Sequence, residues 1–357
     1  MSHEGLNIDD PGVILLGHAV ADVPPSELLL VCSGPLPGLR PGVTRLITDV
    51  RERPHAGERC LPLTLPSAVE LSASPGTYAA AVVWPRAHLG KDFSLLCLAR
   101  GALALRPGGD LFCAARKDKG GGSLAAAIEE MMGHVEVVER SRGYHLYHAR
   151  GEIDRDAALR HLGARYELHA PLVSEAPLAS VPGVFCRRHL DDGTSALLGH
   201  LNAVDERQIL GHQRAPRAVI DLCAGIGPIA LWAAKRWPSA SILAVESNLL
   251  ACDLIAENSR RAGVDAQIRA LASDGLPATP TPTDLLLANP PTHAGEDELG
   301  RLLAPLPRWL SPGDAWFVVN RPGRVVSLLT KKTDPSPSHL DVLEVPGFAL
   351  VHARWGA

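Results

Sequence analysis

Short apolar runs closed by Gly, Pro, Asn or Asp recur along the chain, the pattern of buried parallel strands alternating with helices. In the second half, Arg217–Leu222, Ser241–Val245, Ala266–Leu271 and Thr283–Ala288 read as strands, and Pro228–Trp237 has the composition of a helix. In the first half, Leu28–Val31 and the apolar segments after Pro107-Gly108 and before His148 read the same way. Asp154–Leu162, flanked by polar residues, predicts a short connecting helix.

Compared with itself, the chain repeats. Trp84-Pro85-Arg86-Ala87-His88-Leu89-Gly90-Lys91-Asp92 lies without gaps over Asn289-Pro290-Pro291-Thr292-His293-Ala294-Gly295-Glu296-Asp297, an offset of 289 − 84 = 205. Arg106-Pro107-Gly108 faces Ser311-Pro312-Gly313 at the same offset, and His148-Ala149-Arg150 faces His352-Ala353-Arg354 one residue out of step. Three anchors within one residue of a common offset predict a duplicated α/β unit with its seam near Gly151–Arg165: residues 1–152, then 153–357. The expected fold is two tandem Rossmann-like domains, the first degenerate.

A length of 357 residues agrees with two domains, and 46% hydrophobic against 21% charged residues describes globular chains with sizeable cores. The polar start Met1-Ser2-His3-Glu4 and the lack of a long apolar stretch predict a cytoplasmic protein with no membrane span. Seven scattered cysteines without a C-x-x-C pair predict reduced thiols, with neither a disulfide framework nor a metal site. A net charge of −4 argues against coating nucleic acid by bulk electrostatics but allows a local basic face.

The chemistry concentrates at the strand ends of the second half. Cys223-Ala224-Gly225-Ile226-Gly227 follows the first strand, and its glycines allow a tight turn and close ligand approach before Pro228 opens the helix. Glu246 ends the next strand about 20 residues after Gly225, the spacing at which a carboxylate grips ribose hydroxyls. Asp274 follows the third strand, where it can accept from an adenine amine. A glycine turn with these carboxylates implies a nucleoside, and a dinucleotide fits as well.

The fourth strand delivers Asn289-Pro290-Pro291-Thr292-His293, which resembles motif IV of the amino methyltransferases. A conjugated exocyclic amine is a poor nucleophile because its lone pair is delocalised. The Asn289 side-chain oxygen and the Pro290 carbonyl can accept from its two N–H groups, and consecutive prolines fix that geometry. His293 has a supporting role at most, since no strong base is needed.

Upstream, Pro182-Gly183-Val184-Phe185-Cys186-Arg187-Arg188-His189-Leu190-Asp191-Asp192-Gly193-Thr194 resembles the approach segment of the bacterial rRNA guanine-N2 methyltransferases, the family that acts on guanines of the small or the large ribosomal RNA. That family places a degenerate methyltransferase domain before the catalytic one, so the resemblance covers nearly the whole chain. It implies S-adenosylmethionine as cofactor and a guanine of ribosomal RNA as target, 16S before 23S. By residue-level match, Asp191, Gly193 and Thr194 line the cofactor pocket with Asp221, Ala224, Gly225, Gly227, Glu246, Asp274 and Asn289, Phe185 helps close it, and Asn289, Pro290 and Pro291 hold the amine. Thr292 and His293 would face the RNA. An aromatic residue follows N-P-P in that family, and Thr292 has no such face, so stacking on the base comes from elsewhere or activity is low.

In the first half, Trp84 and Arg86 replace the Asn and the second Pro, and Pro35 and Pro37 interrupt the glycine turn, whose helix is missing or shortened. This copy is expected to be non-catalytic and to grip RNA phosphates through Arg106, Arg116, Lys117 and Lys119 beside a flexible Gly120-Gly121-Gly122-Ser123. The expected partner is rRNA, naked or in an assembly intermediate, met by a monomer. An RNA-binding pseudoenzyme and a protein glutamine methyltransferase are the alternative readings.

Overall fold

The computed structural model describes residues 9–34, 36–52, 58–64, 76–85, 89–185, 188–212, 214–310 and 312–356. Pro35, Arg86 to His88, Cys186, Arg187 and Ser311, which enter the sequence comparisons above, lie outside the described residues. Two compact units emerge: His3–Arg165 with Val181–Gly183, and Tyr166–Ser180 with Val184–Ala357. Among the described residues no helix is long and apolar enough to cross a membrane.

The N-terminal unit holds β1 Leu28–Val31, β2 Thr44–Ile47, β3 Arg59–Pro62, β4 Tyr78–Val83, β5 Leu105–Arg116, β6 Glu136–Ser141 and β7 Tyr144–Arg150 in the order β3-β2-β1-β4-β5-β7-β6. A short antiparallel pair, β8 Tyr166–Leu168 and β9 Leu178–Ser180, precedes the second sheet. That sheet holds β10 Ala218–Leu222, β11 Ser241–Glu246, β12 Ile268–Ala272, β13 Leu285–Ala288, β14 Gly313–Val319, β15 His339–Val345 and β16 Phe348–Trp355 in the order β12-β11-β10-β13-β14-β16-β15. The two orders are the same. In each sheet the last strand in sequence, β7 or β16, runs antiparallel to both of its neighbours.

The hydrophobic pattern explains the layering. Central parallel strands are covered on both faces, so β1, β13 and β14 are buried along their whole length. The edge strands β6 and β15 expose charged positions that discourage further pairing. β12 starts at Ile268 rather than Ala266, because Gln267 N–H bonds to the Val264 carbonyl at 3.0 Å and keeps that stretch in a turn.

The duplication extends to side chains that the sequence anchors only half reveal. In the C-terminal unit Asp314 accepts from His352 Nε2 at 2.7 Å and from Arg354 Nε at 2.8 Å, and Trp316 stacks on His352 at 4.2 Å. In the N-terminal unit Asp110 bonds to His148 Nε2 at 2.8 Å with Arg150 at 3.9 Å, and Phe112 stacks on His148 at 4.7 Å. An arrangement kept by two units with different strand-end chemistry is a device for packing β5 on β7 and β14 on β16. Because Asp314 is 4% exposed, Asp314→Ala leaves buried partners unsatisfied and should cost about 2–3 kcal/mol. Asp110→Ala, at a more open cluster, should cost about 1 kcal/mol. Urea unfolding of both variants measures the difference.

The units diverge where the sequence predicts. Helix Pro228–Arg236 links β10 to β11, whereas no helix among the described residues links β1 to β2. The core under β1 is instead filled by helix Pro11–Ala19, through Val13, Leu15 and Leu16. Trp84, at the position of Asn289, stacks on Tyr144 at 6.0 Å and packs against that core.

The expected flexible glycine stretch is ordered. Lys117–Lys119 forms a 3-10 turn and Gly121–Met132 an α-helix. Gly120 turns the chain at φ 88°, and a Cβ on Gly121 would lie 2.8 Å from the Arg116 carbonyl and the Tyr147 hydroxyl. The helix therefore starts against a wall that only glycine fits.

Candidate functional site

The site is built on the C-terminal ends of β10, β11, β12 and β13, where an open parallel sheet places its loops. Cys223 leaves β10 with φ 63°, Gly225 with φ 55° and Gly227 with φ 91°. Gly227 is the left-handed residue before helix Pro228–Arg236, and Pro228 takes a first-turn position whose N–H would have no helical partner. A Cβ added at Gly225 meets nothing within 4 Å, so open space stands over this backbone. Ala224 is held beneath by its N–H to the Val245 carbonyl at 3.1 Å.

Glu246 organises the neighbouring strand end. Its Oε2 accepts from Gly225 N–H at 2.8 Å, and its Oε1 from Ser247 and Asn248 N–H at 2.9 Å each. The carboxylate thus locks two loops together and stays half-buried beside the opening. Asp274, beyond β12, is gripped by Arg301 through its Oδ1 at 2.8 Å and its carbonyl at 2.7 Å.

The loop after β13 meets a segment far away in sequence. Asn289 Nδ2 donates to Asp191 Oδ2 at 2.6 Å and to Thr194 Oγ1 at 3.0 Å. An ionised carboxylate can only accept, so this pair fixes which end of the amide faces inward and leaves Asn289 Oδ1 as a free acceptor. Asp191 also accepts from Thr194 N–H at 2.9 Å, capping helix Asp192–Ala203. A Cβ on Gly193 would stand 3.0 Å from that same Asp191 oxygen, so Gly193 serves the close approach of the helix.

The prolines shape the rest of the loop. Pro290 carbonyl accepts from Thr292 N–H at 2.8 Å, which leaves one lone pair for a ligand, and Pro291 carbonyl accepts from Ala294 N–H at 2.8 Å. Arg324 Nη1 reaches the carbonyls of Thr292 at 3.3 Å and Ala294 at 3.2 Å and anchors the outer limb. Arg324→Ala should therefore loosen the loop, raising hydrogen–deuterium exchange over residues 292–295 without changing the melting temperature measurably. Thr292 is half-buried and His293 exposed. Desolvation holds the His293 imidazole below its ordinary range.

Asp221 lies apart from the ligand-facing residues. It is fully buried, its Oδ2 accepts from Ala230 N–H at 2.9 Å, and its Oδ1 has no partner. Burial pushes its carboxyl up to about 8, opposed by the Ala230 bond and reinforced by the charge of Glu246. Its place is under the glycine turn.

A pocket lined by Phe185, Leu190, Thr194, Cys223, Ala224, Gly225, Ile226, Pro228, Ile229 and Asn289 joins these elements. Six of the residues chosen from the sequence for the cofactor, and Pro290 to His293 chosen for the substrate, do not stand in its wall: Asp191 and Gly193 support it, Asp221 underlies the turn that Gly227 closes, and Glu246 and Asp274 hold the ends of β11 and β12. Sequence reasoning missed the apolar wall of Leu190, Ile226 and Ile229, and the roles of Arg301 and Arg324. The N-terminal basic residues belong to the other unit, where Arg116 is paired with Asp118 at 3.0 Å and Arg106 with Glu27 at 3.1 Å. Lys117 and Lys119 remain there as exposed cations.

The arrangement suits a nucleoside carrying an amino-acid tail. Open backbone lies over Gly225, and half-buried carboxylates stand at two strand ends.

The chain is similar to known proteins. Residues 175–334 match the methyltransferase small domain family. The ribosomal RNA small subunit methyltransferase C of Pseudomonas aeruginosa (strain LESB58) is 28% identical over 311 residues, covering 84% of this chain and 87% of that protein. The protein of the same name from Pseudomonas paraeruginosa (strain DSM 24068 / PA7) is 30% identical over 252 residues, 68% of this chain and 69% of the relative. A T. thermophilus 16S rRNA N2 methyltransferase, solved in complex with AdoMet and guanosine, shares the fold with a TM-score of 0.75 at 24% identity, over 99% of this chain and 93% of that one.

Proposed function

This chain belongs to the ribosomal RNA small subunit methyltransferase C family, and we propose from that premise that it transfers a methyl group from S-adenosylmethionine to the N2 amine of a guanine in 16S rRNA. The observation that carries the reading is the orientation of Asn289: with Nδ2 held by Asp191 and Thr194, Oδ1 is the atom presented to an incoming amine.

The residues fit the cofactor. Ala224, Gly225 and Thr194 would lie along its methionine end, with Glu246 at the ribose and Asp274 toward the adenine. When bound, the cofactor supplies an electrophilic methyl group on a sulfonium.

The chain supplies position. Asn289 Oδ1 accepts one N–H of the guanine amine, and the remaining lone pair of the Pro290 carbonyl accepts the other. Holding both protons in fixed directions turns the nitrogen lone pair out of conjugation and toward the methyl group. Once the new C–N bond forms, the cationic nitrogen is acidic and gives its extra proton to water, so no side chain must act as a strong base.

A guanine amine inside a helix is paired, so the target must be flipped out, at a cost of a few kcal/mol that naked RNA or an assembly intermediate lowers. The N-terminal unit is the non-catalytic copy, because Trp84 packs inward where Asn289 presents its amide. Its exposed Lys117 and Lys119 are the RNA-contacting cations, and the protein works as a cytoplasmic monomer. Mass mapping of methylated nucleosides in 16S rRNA tests the whole: a strain lacking the gene should lose one N2-methylguanosine, and the purified protein should restore it. An unchanged map rejects the reading.

A further inference from the structure

We infer that Phe185 is the stacking platform for the target base, an inference that rests on the guanine-methylating reading of the same site. A flipped-out base leaves its neighbours and must find a flat face in the protein. The loop that holds the amine offers none at Thr292. In the C-terminal unit Trp232, Trp237, Trp309, Trp316 and Trp355 are at most 3% exposed, Phe317 is fully buried, and the half-buried Phe348 packs against Gly193 without lining the pocket of Asn289. The ring of Tyr166 is covered by Arg188, 4.7 Å from its centroid.

Phe185 is different. It is 52% exposed, and it lines the same pocket as Asn289 and Thr194. The preceding Val184 is buried, which anchors the backbone from which the ring projects. An aromatic side chain held at the mouth of a polar pocket keeps a large apolar face in water until a ligand covers it.

The sheet order says which ligand. Glu246 and Asp274 end β11 and β12, on the β12-β11-β10 side of the sheet where the nucleoside carboxylates stand. Asn289 follows β13, on the other side of β10. Phe185 shares its pocket with Asn289 and with Thr194, Ala224 and Gly225 of the methionine end, and not with Glu246 or Asp274, so its face stands where the methyl group meets the acceptor and away from the cofactor's nucleoside.

Three substitutions in the full chain test this: Phe185→Ala, Phe185→Leu and Phe185→Tyr. Ala and Leu should each lower kcat/KM for 16S rRNA by about 10- to 100-fold, the range of base–aromatic stacking, and Tyr should restore it. The dissociation constant for S-adenosylmethionine should stay within about two-fold in all three, by calorimetry, because stacking acts on the acceptor. A matching loss of cofactor affinity, or a Leu variant as active as the unsubstituted protein, overturns the proposal. A second readout does not depend on turnover: with S-adenosylhomocysteine bound, guanosine H8 should move upfield under the Phe185 ring and lose that shift in the Ala and Leu variants. If the unsubstituted protein methylates no guanine yet shows the Phe185-dependent shift, the rRNA reading falls and the platform stands. If no such shift occurs, the platform falls.

Discussion

Asn289→Ala should lower the methyl-transfer rate by about 100- to 1000-fold, the cost of removing one preorganised polar partner from a reacting centre. The expectation has a structural basis in the clamp on Nδ2: Asp191 at 2.6 Å and Thr194 at 3.0 Å leave the amide no reason to turn over. Asn289→Asp sharpens the test. It keeps an acceptor at Oδ1 but sets a second carboxylate oxygen against Asp191, and like charges so close cannot both ionise easily. This variant should be weakly active and should gain activity as the pH falls and the pair shares a proton. Asp191→Ala should cost activity through Asn289 rather than through the cofactor, because the amide can then rotate and present its N–H groups to the amine. Single-turnover transfer of a labelled methyl group, with calorimetric cofactor affinity beside it, separates these outcomes. An Asn289→Ala protein with near-normal turnover would remove the proposed mechanism.

The strand ends that carry this chemistry are legible because parallel strands bury both faces and so announce themselves as apolar runs closed by turn residues. Leu285–Ala288 followed by Asn289 needs no partner in the sequence to be read. The self-comparison reaches further than composition: its three anchors follow β4 and β13, meet β5 and β14, and end β7 and lie in β16, in two sheets with one strand order. Asp110 and Asp314 escape it, although each sits beside an anchor, since a cross-strand hydrogen bond leaves no local signature.

The rest is hidden for related reasons. Asp191 and Asn289 are 98 positions apart, and no periodicity links a helix cap to a strand-end amide. The run of glycines after Lys119 suggests freedom by composition, but Gly121 is required there by a close wall and begins a helix. Asp221 reads as a ligand-facing acid because it precedes the glycine turn. Only the packing of helix Pro228–Arg236 over it shows that its charge is removed from solvent.

That burial predicts an unusual dependence of stability on pH. The Asp221 carboxyl is pushed up to about 8 in the folded chain, against about 3.9 for an unfolded Asp. A raised carboxyl pKa means that folding takes up a proton between these values, so this group's contribution is fully favourable below about pH 4 and is lost as the pH rises to about 8. Asp221→Asn copies the protonated acid: its amide oxygen can still accept from Ala230 N–H, and its amide nitrogen takes the place of the unpartnered Oδ1. The variant should match the unsubstituted protein near pH 3.5 and exceed it by about 3–5 kcal/mol at pH 8.5, at about 1.4 kcal/mol per pH unit discounted for relaxation around the charge. Urea unfolding followed at several pH values, taken as the difference between the two proteins, cancels every other titrating group. Parallel curves across that range would show that Asp221 is charged in the folded state and that the protein provides Oδ1 with a partner after all.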